Sequence, residues 1–317
     1  MSLTHGVENS YRPRLVVVKG TFSPLGGAER DLLNNLNALN EKFTVALLTL
    51  IPPSPDDLSQ AQVDNIPIFS PKPPWNRPVG RLAEIMARVS HSSTKEWKRL
   101  VSTSEVSKVI SDAEAIHIVS GPASLEFTTS LSRKIPTHLH MLEPHRGLYE
   151  DVLHRTVDGT LNRPMLITSG LLSKQRRQDQ RLVRKLILSD GLISGNSPWI
   201  IERIMEIYAA EATFLPHSID TSDWTLNATS EENEAWSHME QTYNLIEDQY
   251  VVTVGRASWV KGTWETISML ESTNFSLVHI GGGDPKDLLQ LRLHAEGLGV
   301  NFISLPRLSQ CEILATF

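Results

Sequence analysis

This sequence has few cysteines, no long apolar run and no excess of basic residues. Cys311 is the only cysteine among 317 residues, which excludes an intrachain disulfide and a cysteine-rich metal site and fits a reducing compartment. The longest apolar run, Val45 to Ile51, is far shorter than the roughly 20 residues that span a bilayer. The net charge of -6 argues against a protein that binds nucleic acid.

The first residues carry no targeting signal that we can identify. Met1 to Arg14 is polar and lacks the apolar stretch of a secretory signal peptide. We therefore expect a cytoplasmic protein that has at most a peripheral contact with the inner face of a membrane.

Short apolar runs alternate with amphipathic stretches, which is typical of an α/β fold with mainly parallel, doubly wound sheets. The predicted strands are Leu15–Lys19, Thr44–Leu50, Ala115–Ser120, Pro136–Met141, Gly191–Ser194, Ala212–Pro216, Tyr250–Val254, Leu277–Ile280 and Val300–Leu305. The predicted helices between them are Ala28–Asn40, Ala123–Arg133, Lys174–Ser189, Pro198–Tyr208, Thr263–Ser272 and Pro285–Leu298.

The length predicts about two domains, and a polar stretch marks the boundary. Residues 220–248 are polar and separate two strand-rich parts, residues 1–219 and 249–317, with a helix predicted at Ser230–Tyr243 inside the linker. The segment Ile51 to Arg81 is rich in proline, so we expect an irregular excursion with no regular helix there.

Two strand-loop-helix units offer sites for phosphate. Gly26 and Gly27 precede a helix N-terminus, where bare amides and the helix dipole favour an anion and where glycine allows close approach and positive φ. Arg256 and Lys261 follow another strand, five positions apart, and can converge on a diphosphate. An ordinary turn and two solvated cations are the plainer alternatives, but two such half-sites together favour a cleft between domains.

These residues and several other motifs, in this order and spacing, resemble the retaining glycosyltransferases of family 4. The resemblance covers nearly the whole chain and rests on Gly26 to Arg30, His138-Leu139-His140, Glu143 to Tyr149, Gly195-Asn196-Ser197, Leu215 to Asp220, Gly255-Arg256 with Lys261-Gly262, and Ile280 to Pro285. It implies the GT-B fold, in which two Rossmann-like domains face a cleft, with the second domain incomplete here.

The resemblance also implies a role for each site residue. Arg256 and Lys261 would bind and stabilise the donor diphosphate, with Gly26 and Gly27 near the phosphate. His140 would contact the donor sugar; these three charged or imidazole residues, His140, Arg256 and Lys261, form the predicted catalytic set. Gly282 and Gly283 would line the donor site, and Arg146 and Asn196 would lie on the acceptor side. No metal and no cofactor are expected, because the nucleotide sugar is the substrate.

Two other interpretations of these motifs remain open, a zinc site and a dinucleotide-binding site. His138, His140, Glu143 and His145 could converge on zinc if a strand places both histidines on one face. The run Gly281-Gly282-Gly283 invites a dinucleotide reading, but Lys286 stands where the third glycine of that fingerprint belongs.

One predicted helix is strongly basic between Lys174 and Lys185, with Arg177, Arg181 and Arg184 on one side. This face is either simply solvated or attracted to anionic lipid headgroups or to a phosphorylated acceptor. Members of the family carry a Glu-x7-Glu pair beyond the strand that matches Val300–Leu305, and this chain stops at Phe317. We therefore expect the chain as written to be incomplete for catalysis.

The sequence thus predicts a metal-independent, retaining glycosyltransferase. It would move a sugar from a nucleotide-diphosphate sugar to a hydroxyl of a glycan or lipid-linked acceptor. The alternative is a non-catalytic nucleotide- or glycan-binding protein, which the missing Glu pair would favour.

Overall fold

The structure is a computed structural model that describes residues 11–23, 25–77, 92–131, 135–150, 155–161, 165–217, 229–246 and 249–316. The chain forms two compact units, the first made of Met1–Tyr149 and Leu171–His217 and the second of Glu150–Gly170 and Ser218–Phe317. Each unit contains a parallel sheet flanked by helices. The predicted α/β class is therefore confirmed.

The sheet of the first unit has the order β3-β2-β1-β4-β5-β6-β7 among the described strands, and all its pairings are parallel. Alternate residues of β1 enter two hydrophobic clusters, Val16 on one face and Val17 on the other, because helices cover both faces of a parallel sheet. The strands are β1 (Arg14–Val18), β2 (Thr44–Leu48), β3 (Ile68–Phe69), β4 (Ala115–Val119), β5 (Thr137–Met141), β6 (Leu192–Gly195) and β7 (Thr213–Phe214).

Helices connect these strands and include several that the sequence analysis missed. They are α1 (Gly27–Lys42), α2 (Pro55–Gln60), α3 (Ser92–Val101), α4 (Ser104–Ser111), a 3-10 helix (Leu125–Ser130), α5 (Arg146–Tyr149), α6 (Met165–Ile187) and α7 (Pro198–Tyr208).

Two local expectations are wrong. The proline-rich segment does contain a regular helix, α2, because Pro55 occupies its first turn, where proline needs no amide partner, and the Ser54 hydroxyl caps it by accepting from the Asp57 amide at 3.1 Å. The expected helix Ala123–Arg133 is only the short 3-10 helix, because Ala123 has φ +64° and cannot begin an α-helix. Residues 132–134 lie outside the described part.

The second unit has a three-stranded parallel sheet in the order β10-β9-β8 among its described strands. Its strands are β8 (Tyr250–Val254), β9 (Ser276–Ile280) and β10 (Phe302–Leu305). Its helices are α8 (Ser230–Tyr243), a 3-10 helix (Trp259–Lys261), α9 (Thr263–Met269), α10 (Pro285–Leu298) and α11 (Gln310–Leu314).

The second unit also includes a segment that lies far earlier in the sequence. Val157 is 1% exposed and belongs to the hydrophobic cluster formed with residues of α9, β9 and α10. The nearby Arg155 guanidinium stacks 4.7 Å from the Trp259 ring centroid. The linear boundary drawn at residue 219 does not anticipate this excursion, since no local pattern distinguishes a single valine that packs against residues one hundred positions later.

We expect Val157→Ala to destabilise the second unit by about 2 kcal/mol, because it removes two buried methyl groups. Hydrogen exchange should then accelerate at the amides of α9 and α10 and stay unchanged in β1 and β2. Leu161→Ala is the matched control, since Leu161 lies on the same segment but is 40% exposed. Equal exchange in the two variants would show that Val157 contributes nothing to this core.

Candidate active site

The first sheet reverses its strand order between β1 and β4, and ligands of open parallel sheets bind outside the carboxyl ends of the strands at such a point. Lys19 follows β1 directly and is fully buried there. Its Nζ lies 2.9 Å from Glu29 Oε1 and donates to the Ser120 carbonyl at 2.8 Å. A buried ion pair therefore lies at the carboxyl end of β1, where the strand order reverses.

Glu29 also holds the loop that precedes α1. Its Oε2 accepts a hydrogen bond from the Gly26 amide at 3.0 Å, so a carboxylate already occupies one of the amides that the sequence analysis assigned to phosphate. Neither glycine has the expected positive φ; Gly26 has φ -109°, because it caps α1 in an extended conformation. A Cβ on Gly27 would meet nothing within 4 Å, which leaves open space at the start of α1.

Three histidines and a serine form a continuous array on one face of β4, β5 and β6. His117 Nδ1 lies 3.0 Å from His138 Nδ1, and His138 Nε2 lies 2.8 Å from Ser194 Oγ. The same Ser194 Oγ lies 2.8 Å from His140 Nδ1. Parallel register produces the array, since it pairs His117 with His138 and His140 with Ser194.

A second group of polar side chains lies beside His140. The His217 ring centroid is 5.6 Å from that of His140, with the planes at 73°. His217 Nδ1 lies 2.8 Å from Asp31 Oδ2, and its Nε2 lies 3.1 Å from Asn196 Nδ2. The structure therefore brings together His140 and Asn196, which the sequence analysis had placed in separate roles.

Burial keeps the array uncharged. Desolvation lowers the pKa of His117 to about 3, helped by His138 and His140, and lowers the pKa of His140 to about 4, helped by His217 and His138. It also lowers the pKa of His138. Each ring is neutral at pH 7 and has one N–H group and one lone pair.

We expect the free energy of unfolding to decrease as the pH falls from 6.5 towards 4. The folded pKa values of His117 and His140 lie below the ordinary value of 6.5, so the unfolded chain binds more protons in this window and acid favours it. The loss should be on the order of 1 kcal/mol per ring at about pH 5.5, measured by urea denaturation. Above pH 6.5 this contribution is fully present.

The matched variants for this prediction are His117→Asn and His238→Asn. His117→Asn removes one buried titrating ring and should flatten the dependence of stability on pH, whatever its effect on stability at pH 7. His238 is exposed on α8, so its variant should keep the dependence of the unchanged chain. Identical pH profiles for His117→Asn and the unchanged chain would contradict the prediction.

The second unit places two loops against each other at the carboxyl ends of β8 and β9. The Ala257 amide donates to the Gly282 carbonyl at 2.7 Å. A Cβ on Gly283 would lie 2.6 Å from the Ala257 Cβ, and a Cβ on Gly281 would lie 2.7 Å from the Gly255 carbonyl oxygen. Only glycine permits this approach, so the paired loops, residues 255–261 and 281–283, interlock through their backbones.

Arg256 and Lys261 both lie on the first of the paired loops and are exposed. Gly255 has φ +139°, and a Cβ on it would lie 3.2 Å from Lys261 Cε, so the Lys261 side chain passes over the residue next to Arg256. Burial raises the pKa of Asp287 on α10, and Arg256 acts in the opposite direction, which places the guanidinium within electrostatic range of α10. The two cations therefore lie on the loop whose Ala257 contacts Gly282 and Gly283.

A buried histidine supports the second of the paired loops. His279 is 1% exposed; its Nε2 lies 3.3 Å from the Gly282 carbonyl and its Nδ1 lies 3.1 Å from Thr253 Oγ1. Because a carbonyl only accepts, Nε2 carries the ring proton and the Thr253 hydroxyl donates to Nδ1. These bonds fix the Gly282 carbonyl in the position that accepts from Ala257.

No family model and no curated protein matches this sequence. Solved structures resemble it in fold. A glycosyltransferase from Rickettsia africae superposes with a TM-score of 0.59 at 12% identity, covering 96% of this chain and 71% of that chain. HepE of Anabaena in complex with UDP gives 0.55 at 13%, covering 96% and 71%. The trehalose-6-phosphate protein of E. coli bound with UDP-2-fluoro glucose gives 0.56 at 12%, covering 96% and 76%.

The chain has the GT-B fold. Its two parallel sheets lie in separate units, and the second sheet is the smaller, as the sequence analysis predicted. At identities this low the likeness concerns the fold, so the functional roles of the residues stay predictions.

Some predicted residues of this GT-B chain are only partly placed by the structure. Arg146 begins α5, just beyond β5, but its side chain lies outside the described part, as do Ser218 to Asp220 of one motif. Both ring nitrogens of His138 are engaged with His117 and Ser194, which leaves none for a metal ion. Within the described ranges, no three His, Cys, Asp or Glu side chains are grouped to hold a metal.

The basic helix of the GT-B chain is α6, longer than predicted at its N-terminal end. Lys174, Arg177, Arg181 and Arg184 are exposed on it, whereas the Lys185 ammonium donates to the Thr128 carbonyl at 2.6 Å. None of the helices in the described ranges is both long and apolar enough to cross a membrane.

Proposed function

We propose that this chain is a nucleotide-sugar glycosyltransferase. It would transfer a sugar from a nucleoside-diphosphate sugar to a hydroxyl of a glycan or lipid-linked acceptor, with retention of the anomeric configuration and without a metal ion. The GT-B fold supports the proposal, and so do HepE and the E. coli protein, relatives in fold that carry UDP or a UDP sugar. We expect it to work in the cytoplasm, with α6 in peripheral contact with a membrane.

The observation that carries the proposal is the surface formed by the paired loops. Arg256 and Lys261 place two cations on the loop that pairs with Gly282, where a Cβ would meet nothing within 4 Å and a diphosphate has room to approach. A leaving nucleoside diphosphate gains negative charge as its bond to the sugar breaks. Fixed cations at that place stabilise the transition state more than the ground state.

The first unit supplies the remaining groups of the proposal. His140 would position the donor sugar, and Asn196 and Arg146 would lie on the acceptor side. Gly27 leaves open space at the N-terminus of α1, where the helix dipole favours a phosphate. Because the Gly26 amide is bound to Glu29, the contribution of this loop would come from Gly27 and the residues after it.

Thermal denaturation with a panel of nucleotides tests the proposal. A nucleoside diphosphate and its sugar conjugates should raise the melting temperature, since a ligand at about one hundred times its Kd stabilises by about 2.7 kcal/mol. NAD and the nucleoside alone should have little effect, and EDTA should not alter the shift. Stabilisation by NAD but by no nucleoside diphosphate would overturn the proposal.

The stereochemical part needs its own measurement. With a donor and acceptor identified by the panel, the anomeric proton of the first product formed should show the configuration of the donor by NMR. A product with inverted configuration would contradict retention while leaving sugar transfer in place.

A further inference from the structure

The array of His117, His138, Ser194 and His140 contains more hydrogen-bonding groups than holding one ring in place requires. His140 is 8% exposed and Ser194 is 1% exposed, so water does not compete freely for their contacts. Each of the three contacts is 2.8–3.0 Å long, within the range of a full hydrogen bond. The protons of the array are therefore interdependent.

Two arrangements keep the Ser194 hydroxyl proton between the two rings of β5. A neutral imidazole has one N–H group and one lone pair, and a hydroxyl has one proton. If His117 Nδ1 donates to His138 Nδ1, then His138 Nε2 donates to Ser194, the Ser194 hydroxyl donates to His140 Nδ1, and His140 carries its proton on Nε2. If His138 Nδ1 donates instead, every bond reverses, and His140 Nε2 presents a lone pair.

We propose that His117, His138 and Ser194 are positioning residues that set the tautomer of His140. The protonated nitrogen of His117 thereby decides whether His140 Nε2 donates or accepts a hydrogen bond. Ser194 is the link, since its hydroxyl lies within hydrogen-bond distance of both rings of β5. Interconversion moves three protons along the array, while His140 Nε2 releases one proton to solvent and His117 Nε2 takes one up, so every ring stays neutral.

The neighbouring His217 is fixed by different partners and does not take part. Its Nδ1 faces the Asp31 carboxylate, which only accepts, so Nδ1 carries the proton. Its Nε2 then accepts from the Asn196 amide. Asp31 and Asn196 thus define one tautomer of His217, whichever arrangement the array adopts.

The functional consequence rests on the proposed function. A sugar hydroxyl can both donate and accept a hydrogen bond. The array lets His140 Nε2 either donate to that hydroxyl or accept from it, and the ring stays neutral in both cases. A single isolated imidazole in the same place would rotate or exchange its tautomers, which would weaken the orientation of the sugar.

The test is long-range nitrogen–proton correlation NMR on the full chain with 15N-labelled histidine at pH 7, assigned by single His→Gln variants. The unchanged chain should show complementary tautomers: a proton on His117 Nδ1 together with one on His140 Nε2, or a proton on His117 Nε2 together with one on His140 Nδ1. Ser194→Ala should lose this correlation, with both rings moving towards the averaged signals of a freely exchanging imidazole, and Ser194→Thr should restore it.

Ser120→Ala is the control, because Ser120 is a buried serine just after β4 whose hydroxyl accepts a hydrogen bond from the Leu142 backbone amide instead of from a ring of the array. Protons on Nδ1 of both His117 and His140 in the unchanged chain, or fixed tautomers in Ser194→Ala, would overturn the proposal. Ser194→Ala should also weaken binding of an intact nucleotide sugar about tenfold with UDP affinity unchanged. Complementary tautomers with no change in sugar binding would support the coupling and contradict the role of His140 in the proposed function.

Discussion

Replacing both Arg256 and Lys261 with alanine will weaken the binding of a nucleoside diphosphate by about a hundredfold or more, and each single replacement by about tenfold. A charge-assisted hydrogen bond to phosphate contributes roughly 1.5–3 kcal/mol, and both cations lie on one loop with little else to replace them. Isothermal titration calorimetry at low ionic strength measures the change. The paired loops should keep their backbone bonds, because neither side chain takes part in them.

Arg292→Ala is the control for this prediction, since Arg292 is an exposed cation of α10 in the same unit. It lowers the charge of the unit by the same amount as each single variant and should leave the affinity for the nucleoside diphosphate almost unchanged. If Arg292→Ala weakened binding as much as Arg256→Ala, the effect would be general electrostatics. Unchanged affinity in the double variant would show that the paired loops are not the diphosphate site.

The second large effect concerns stability. Lys19→Ala should lower the free energy of unfolding by about 3–5 kcal/mol, because it leaves the largely buried Glu29 carboxylate without its cation and the Ser120 carbonyl without its donor. Urea denaturation measures this loss. The Gly26 loop should also exchange its amide protons faster, since Glu29 holds it.

Two further variants define the cause of that loss. Lys98 is an exposed lysine of α3, so Lys98→Ala should cost less than about 0.5 kcal/mol. Lys19→Met combined with Glu29→Gln removes both charges and should recover part of the stability that Lys19→Ala loses. A double variant as unstable as Lys19→Ala would show that the unpaired Glu29 charge does not cause the loss.

Elements with strong local signals were predicted from the sequence with correct bounds. For α10, Asp284 caps the N-terminus and Pro285 begins the helix, while Gly299 ends it with φ +69°, so both bounds follow from residue types alone. The strand β3 was missed because two residues among prolines, Ile68 and Phe69, give no periodicity, and only pairing with β2 makes them a strand.

The candidate site likewise combines residues that local spacing predicts with contacts that it does not predict. Arg256 and Lys261 were predicted to lie close together, because they share one loop and their spacing is local. The contact between His217 and Asp31 joins residues 186 positions apart, and no sequence pattern marks it. His117 and Ser194 become partners of His138 and His140 only through the order and register of three strands, which local sequence patterns do not predict.

The burial of Val157 in the second unit has a consequence for how the chain matures. The chain passes between the units three times, near residues 150, 170 and 217. During synthesis Val157 emerges about one hundred residues before Ala257 and the helices that cover it. Its side chain therefore stays exposed to solvent while the last strands of the first unit are synthesised. A fragment that begins at Ser218 would lack the Val157 side chain and would have a cavity in its core. A fragment that ends at Tyr149 would lack β6 and β7. Neither unit is a contiguous piece of sequence, so we expect that no single fragment of the chain folds into a complete unit.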